Sequence, residues 1–523
     1  MVREIPKTYS RWAKNLIIEF SEVKDTDYMT ERHFNDADLL HRSGVSAYQN
    51  GDVKTALEFV LKAIEINSNV PKYYNTFGVI LAQAGREQGA IKAYRKAIEL
   101  NNDYGEAYSN LGNCLQKQNK YAESIKYYTK AIKLNPDYAE AYNNLSAALY
   151  KLGNFKAAIE NCRKAIKLKD NYAEAYNTLA AVLQAEQRFN EAIECYDKTV
   201  EYAPDYAEAY YSRGMSYLRK GEFAKGWDDY QWRLKTEKTK VTLRYDKPWW
   251  HGEDFQGKTL LVQAEQGFGD SIQFVRYLPM VKERGGTVIL AEKPEIIGLF
   301  ENLDGIDDIV DIGKVTEGNV KYDLYVTLLS LPAIFGTKID SIPAQIPYIS
   351  AKASKIAYRH NKINTDTFKI GIVWAGNPTH GNDHNRSCTL NNFIQLAKIK
   401  NVKLFSLQKG LGTEQINNWP EDMELIDLGQ KFEDFTDTAA AIENMDMTIS
   451  VDTSVIHLAG AMGKTAWLLI PYESDWRWML NRGDSPWYPT IRLFRQKQYG
   501  GWEELFHRVA DRVENLITNA AVV

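Results

Sequence analysis

The chain has 523 residues, 44% apolar and 25% charged, with a net charge of −4. That balance fits a soluble globular protein of two to four domains, and the slight acidity excludes the basic field that gathers nucleic acid. No run of eighteen apolar residues occurs and the first thirty residues hold no signal-like apolar stretch, so no membrane span is expected and a cytoplasmic location is implied.

Residues 1–36 match no repeat, and Arg11–Phe20 reads as an amphipathic cap over the first repeat. From Ala37 to Lys240 the chain repeats itself every 34 residues, with clear starts at Pro71-Lys-Tyr-Tyr, Gly105-Glu-Ala-Tyr, Ala139-Glu-Ala-Tyr, Ala173-Glu-Ala-Tyr and Ala207-Glu-Ala-Tyr. The eighth position is Gly44, Gly78, Gly112, Ser146, Ala180 and Gly214, and the twentieth is Ala56, Ala90, Ser124, Ala158, Ala192 and Gly226. Small residues at both places let two antiparallel helices approach closely. Pro136 and Pro204 stop the second helix of their repeats. The pattern resembles the tetratricopeptide repeat over six copies, which implies a right-handed α-solenoid with a concave inner face. Asn75, Asn110, Asn143, Asn144 and Asn177 then form a partial amide ladder, broken by Thr76, Thr178 and Ser212, able to bond an extended peptide. Trp227 and the run Tyr230-Gln-Trp-Arg233 depart from the repeat and are expected to seal its end; residues 241–257 form a connector.

Beyond Lys258, short β-rich runs alternate with helical stretches, the mark of parallel α/β architecture. A first Rossmann-like lobe is expected over 258–352, with strands at Thr259–Gln263, Thr287–Ala291, Asp308–Asp311 and Asp323–Thr327. A second is expected over 366–523, with strands starting at Lys369, Lys403, Glu424, Met447, Ala466 and Ile491 and a closing helix from about Trp502. Ligands of such sheets bind beyond the carboxyl ends of the strands.

Four segments lie just after strand ends. Glu265-Gln-Gly-Phe-Gly-Asp-Ser271 offers Gly267 and Gly269 for close backbone approach to a ligand, and Asp270 as a proton acceptor at a helix start. Trp374–Ser387 is a long polar loop ending in Arg386, which can form paired bonds to a phosphate. It also holds His380 and His384, four apart; with no Glu or Cys set nearby they are read as loop histidines near a sugar, and no metal site is expected. Gln408 and Lys409 end the next strand as further phosphate candidates. In Asp452-Thr-Ser-Val-Ile-His457, the helix-start residues Asp452, Thr453 and Ser454 leave backbone N–H groups free for an anion, with His457 one turn further on. Trp476 and Arg477 flank the cleft, either packing between lobes or contacting sugar or acceptor.

Together, Gly267-x-Gly-Asp270, the loop ending at Arg386, and Asp452-Thr-Ser-x-x-His457 resemble the GT-B glycosyltransferases. The likeness is to family 9 heptosyltransferases and to repeat-bearing protein glycosyltransferases of the O-linked N-acetylglucosamine and flagellin types. The resemblance implies an inverting, metal-independent transfer of a sugar from a nucleotide-sugar donor to a protein held by the repeats, with Asp270 as base and the Asp452 turn holding the donor phosphates. Ser454 stands where the heptosyltransferase turn has glycine, and Arg386 where it has lysine. No cofactor is implied beyond the nucleotide-sugar co-substrate, whose base and sugar are unspecified. A homo-oligomer is compatible with such an array. The alternatives are a non-catalytic repeat scaffold with a nucleotide-binding domain, and transfer to a glycan or lipid-linked acceptor.

Overall fold

A computed structural model describes residues 37–236, 247–363, 365–379 and 381–520, which form two compact units, 37–205 and 206–520. The expected cap at Arg11–Phe20, the end of the repeat array and start of the connector over 237–246, and His380 lie outside the described residues.

The first unit is five helical hairpins: Ala37–Gln49 with Val53–Ile66, Pro71–Gln83 with Glu87–Leu100, Gly105–Lys117 with Tyr121–Leu134, Ala139–Lys151 with Phe155–Leu168, and Ala173–Ala185 with Phe189–Tyr202. The small eighth residue is a steric requirement. A Cβ on Gly78 would fall 2.5 Å from the Tyr94 ring, and one on Gly112 would fall 2.7 Å from Tyr128. Where Ser146 replaces glycine, its hydroxyl donates to the Ala158 carbonyl at 2.8 Å, so the polar atom is satisfied inside the contact. The fifteenth residue of every repeat, in the turn between helices, has positive φ: Gly51, Gly85 and Gly153, and also Asn119 and Gln187, each at φ 61°.

The second unit begins with a sixth hairpin, Ala207–Lys220 and Phe223–Tyr230, which folds together with two parallel sheets. The first sheet has the order β3-β2-β1-β4: β1 Thr259–Gln263, β2 Thr287–Glu292, β3 Asp308–Asp311 and β4 Leu324–Thr327. The second has the order β10-β9-β8-β5-β6-β7: β5 Phe368–Val373, β6 Val402–Ser406, β7 Leu425–Asp427, β8 Met447–Val451, β9 Ala466–Ile470 and β10 Ile491–Arg495. All pairings between these strands are parallel. The central strands β8 and β9 are buried along their whole length, as strands covered on both faces must be. In the second sheet the chain winds outward from β5 on one side and from β8 on the other, which creates a crevice between the two strand ends.

An aromatic cluster joins the sixth hairpin to both lobes. Trp476 lies edge-on to Trp227 with ring centres 5.4 Å apart and also contacts Tyr230, Phe274 and Trp487. Trp227 also donates its indole N–H to the Thr337 carbonyl at 2.8 Å. The sequence expectation that aromatics end the array is met by a mixed core rather than by a cap of the repeats alone. Trp476 is buried within it, so the reading of Trp476 as a sugar or acceptor contact is corrected to packing. Trp476→Ala should cost about 3–5 kcal/mol of stability, seen as a lower denaturant midpoint in the transition of the second unit; an unchanged midpoint would contradict the packing role.

Candidate functional site

Four chain segments reach one place at the carboxyl ends of β1, β5, β8 and β9. After β1, Gln266 takes a left-handed φ of 60° and presents its carbonyl to Lys293 Nζ at 2.6 Å. The chain then enters the short helix Phe268–Phe274, and Asp270 Oδ2 accepts the Gly267 N–H at 2.8 Å. That N–H is therefore already used, and Gly267 is corrected from a phosphate contact to a support for Asp270. Gly269 is corrected likewise. A Cβ there would lie 2.8 Å from His457 Cδ2, so the glycine lets this helix close on helix Ser454–Ala461.

The other oxygen of Asp270 pairs with Arg477 Nη2 across the two lobes. Arg477 also donates from Nε to Gln273 Oε1 at 2.8 Å and from Nη1 to Asp475 Oδ1 at 2.9 Å. Burial pushes the Asp270 carboxyl up, against the pull of Arg477. Burial also opposes the charge on Asp475, but the Arg477 guanidinium and backbone N–H hold its carboxyl below the usual range. Arg477 itself would be lowered by burial, yet Asp475 and Asp270 raise it well above the normal range. Sequence reasoning misses Asp475; its position just before Trp476-Arg477 is the signal that could have found it.

After β8, Thr453 opens helix Ser454–Ala461 without capping it by its side chain; its hydroxyl meets Ser450 Oγ at 3.0 Å. The half-buried Ser454 is the first helical residue. His457 is 5% exposed, with Nδ1 3.0 Å from the Tyr488 hydroxyl and Nε2 3.9 Å from Asp452 Oδ1. Burial, and then the nearby Arg477 cation, hold the imidazole down at about 3, so it is neutral at physiological pH. Asp452 is pushed up to about 6 by burial and by Asp475, against the Trp478 indole, Arg386 and Arg477.

Arg386 ends the segment Asp383–Arg386 after β5, its Nε 3.2 Å from Asp383 Oδ1. Gly376 gives it room, since a Cβ there would come within 2.5 Å of Arg386 Nη2. Arg386 follows β5 and the Asp452 turn follows β8, neighbouring strands of one sheet, and the guanidinium charge lowers the pKa of both Asp452 and His457.

Other expected contacts are structural. Gln408 accepts the Trp374 and Ala375 N–H groups at 3.2 and 3.1 Å and donates to the Ala375 and Leu411 carbonyls, both at 3.0 Å. With both ends of its amide engaged, its reading as a phosphate ligand is corrected. Lys409 is corrected too, because Nζ is tethered to the Phe432 and Glu433 carbonyls at 2.7 and 2.9 Å. His384 is exposed and lines a surface cleft with Thr389, Asn392, Tyr499 and Trp502 rather than the Asp270–His457 cluster. Among the described residues, no group of three or more His, Cys, Asp or Glu is placed to hold a metal ion.

The asparagines of the repeats also differ from a free ladder. Asn75 donates to the Tyr104 hydroxyl at 3.3 Å and accepts the Asn110 amide at 3.0 Å. Asn143 is buried and pairs with Tyr172, and Asn144 donates to Asn113 Oδ1 at 3.0 Å. Asn177 is half-buried. Asn75, engaged at both ends of its amide, is therefore corrected from a peptide clamp to an inter-repeat tie, whereas Asn143 is tied to Tyr172 with its Oδ1 left unpartnered.

Two further buried clamps hold the site. Arg233, just past the sixth hairpin, grips Glu265 at 2.7 and 3.2 Å, together with Ser330 at 2.7 Å and Thr327 at 3.1 Å. Arg276 reaches the Trp487 carbonyl at 2.6 Å and the Tyr348 hydroxyl at 2.7 Å.

The chain carries tetratricopeptide repeats. Models described as "Tetratricopeptide repeat" match residues 105–138 and 127–160, and one described as "TPR repeat" matches 78–119 and 182–221. Protein FlbA of Caulobacter vibrioides is 26% identical over 329 residues, 57% of this chain and 54% of its own, so the chain spans about half the length of that curated relative. Among solved structures, MamA is 28% identical over 34% of this chain and 96% of its own, with a TM-score of 0.29. YrrB, titled a TPR protein with an unusual peptide-binding site, is 25% identical over 35% of this chain and 94% of its own, also with a TM-score of 0.29. Among the described residues no helix is long and apolar enough to cross a membrane.

A raised folded-state pKa at Asp452 means the folded protein binds more protons than the unfolded chain between about 3.8 and about 6. Stability from this group is full below that window and is lost as pH rises through it. Asp452→Asn should therefore raise the melting temperature more at pH 7.5 than at pH 5, by differential scanning fluorimetry; an equal or reversed difference would contradict the burial of a charged Asp452.

Proposed function

We propose that the α/β half transfers a sugar, with inversion and without a metal ion, from a nucleotide-sugar donor to a protein recruited by the repeats. The observation that carries this reading is the meeting of Asp270, Arg386, Arg477 and the Asp452–His457 turn at the strand ends of two parallel lobes. The acceptor hydroxyl attacks the anomeric carbon, the bond from that carbon to the donor phosphate breaks, and the hydroxyl proton passes to Asp270. The departing diphosphate takes the bond's electron pair. Its charge is met by Arg386 and by the backbone N–H groups at the start of helix Ser454–Ala461. His457, being neutral, serves as a hydrogen-bonding partner rather than a cation. Asp452, pushed up to about 6, can take a proton as an anion arrives and so avoid repelling it.

One observation favours a second reading, a nucleotide-binding scaffold without turnover: both oxygens of Asp270 are engaged, by the Gly267 N–H and by Arg477. A thermal-shift screen with UDP, GDP, ADP and CMP, followed by single-turnover assays with the matching sugar donors, separates the two. The proposal expects one nucleotide to raise the melting temperature. Asp270→Asn, which keeps a hydrogen-bond partner for Arg477 but cannot take the proton, should keep that shift and lose transfer. Arg386→Ala should weaken nucleotide binding by roughly 10- to 100-fold in calorimetry, the loss of about one charge-assisted bidentate contact. Wild-type turnover in Asp270→Asn would remove the base, and no shift with any nucleotide would remove the donor site.

A further inference from the structure

We propose that one face of the first unit, carrying Glu106, Glu140 and Glu174, binds a cationic, lysine- or arginine-rich extended segment of a partner protein. The inference rests on reading the repeats as the recruiting half and is independent of sugar transfer.

The three glutamates hold the second position of successive first helices, 34 residues apart, and all are exposed. A tyrosine precedes each helix. Tyr104 lies 3.5 Å from Glu106 Oε2 through its hydroxyl. Tyr138 feels the charges of both Glu106 and Glu140, and Tyr172 those of both Glu140 and Glu174. Carboxylates and phenols therefore alternate along the face.

Two independent observations point to a ligand that brings donors. The first is a buried acceptor with no donor. Asn75 Oδ1 takes the half-exposed Asn110 amide of the next repeat at 3.0 Å. Asn143 holds the corresponding place, is 7% exposed, and its Oδ1 has no hydrogen-bond partner. The residue equivalent to Asn110 is there Thr178, whose hydroxyl turns back to its own helix at the Glu174 carbonyl, 2.8 Å away. The acceptor is thus left on the side from which the Asn110 amide reaches Asn75.

The second is an ammonium already seated in one rung. Lys169 Nζ lies 4.6 Å from the Tyr172 ring centre and 3.9 Å from Glu140 Oε1. The geometry between one repeat's glutamate and the next repeat's tyrosine therefore fits a lysine head, held by charge and by the ring face. One repeat earlier, Asn135 stands where Lys169 does, so the Glu106–Tyr138 rung has the same carboxylate and ring without an internal lysine. An incoming Lys or Arg side chain would fill that rung.

The test uses the full chain and fluorescence anisotropy with labelled octalysine, octaglutamate and a neutral Gly-Ser octapeptide. Octalysine is expected to bind best, and more weakly as salt rises. The combined Glu106→Gln, Glu140→Gln and Glu174→Gln variant should lose about tenfold in affinity, equivalent to about 1.4 kcal/mol. The control variant, Glu58→Gln with Glu160→Gln and Glu194→Gln on the second helices, removes the same charge and should change affinity less than about threefold. Equal losses in the two variants, or no loss in the first, would overturn the proposal. A Gly-Ser peptide bound as tightly as octalysine would overturn the charge preference while leaving peptide capture standing. No binding of any of the three would overturn both.

Discussion

Arg477 is the interaction on which the second unit depends. Its guanidinium is buried and reaches Asp270 and Gln273 of the first lobe and Asp475 of the second. A buried cation with one partner removed is left uncompensated, at a cost of several kcal/mol, so the pairing fixes where the Asp270 helix meets the strand ends of the other sheet. The same constraint fixes Gly269 against His457, and with it the approach of the helix after β1 to the helix after β8. Site and lobe packing are thus one arrangement.

Around that pairing the charges are uneven. Asp475 is held ionised by Arg477, Asp452 is pushed toward its protonated form, and His457 is kept neutral. Carboxylates in one cluster with such different protonation are what a site needs if it must receive an anion and also accept a proton. Arg233 and Arg276 surround the cluster with further buried clamps, and Arg233 ties the sixth hairpin directly to the start of the Asp270 loop.

What can be read from residues alone depends on how local the physics is. The repeat helices are legible because the 34-residue period and the small eighth residue are a packing rule, seen in the clash a Cβ on Gly78 would make with Tyr94. The parallel strands are legible because strands such as Ala466–Ile470 are apolar from end to end. Asp270, Arg386 and His457 can be placed near one another because each comes after a strand at the carboxyl edge of its sheet. The mistaken contacts are non-local. Lys409 is held by carbonyls more than twenty residues away, Gln408 by the loop after β5, and Trp476 by rings from the sixth hairpin. The Asn75 and Asn143 pairings with the following repeat's tyrosines are equally hidden, because they join residues 29 apart.

Under the proposed function, one anion is met jointly by the segments after β1, β5 and β8, with Arg477 holding the lobes in register. Hydrogen–deuterium exchange, with and without the nucleoside diphosphate that most raises the melting temperature, tests it most directly. The account predicts slower exchange together in 265–271, 381–387 and 452–458. Protection confined to one of these segments, or found only at the surface cleft beside His384, would contradict it.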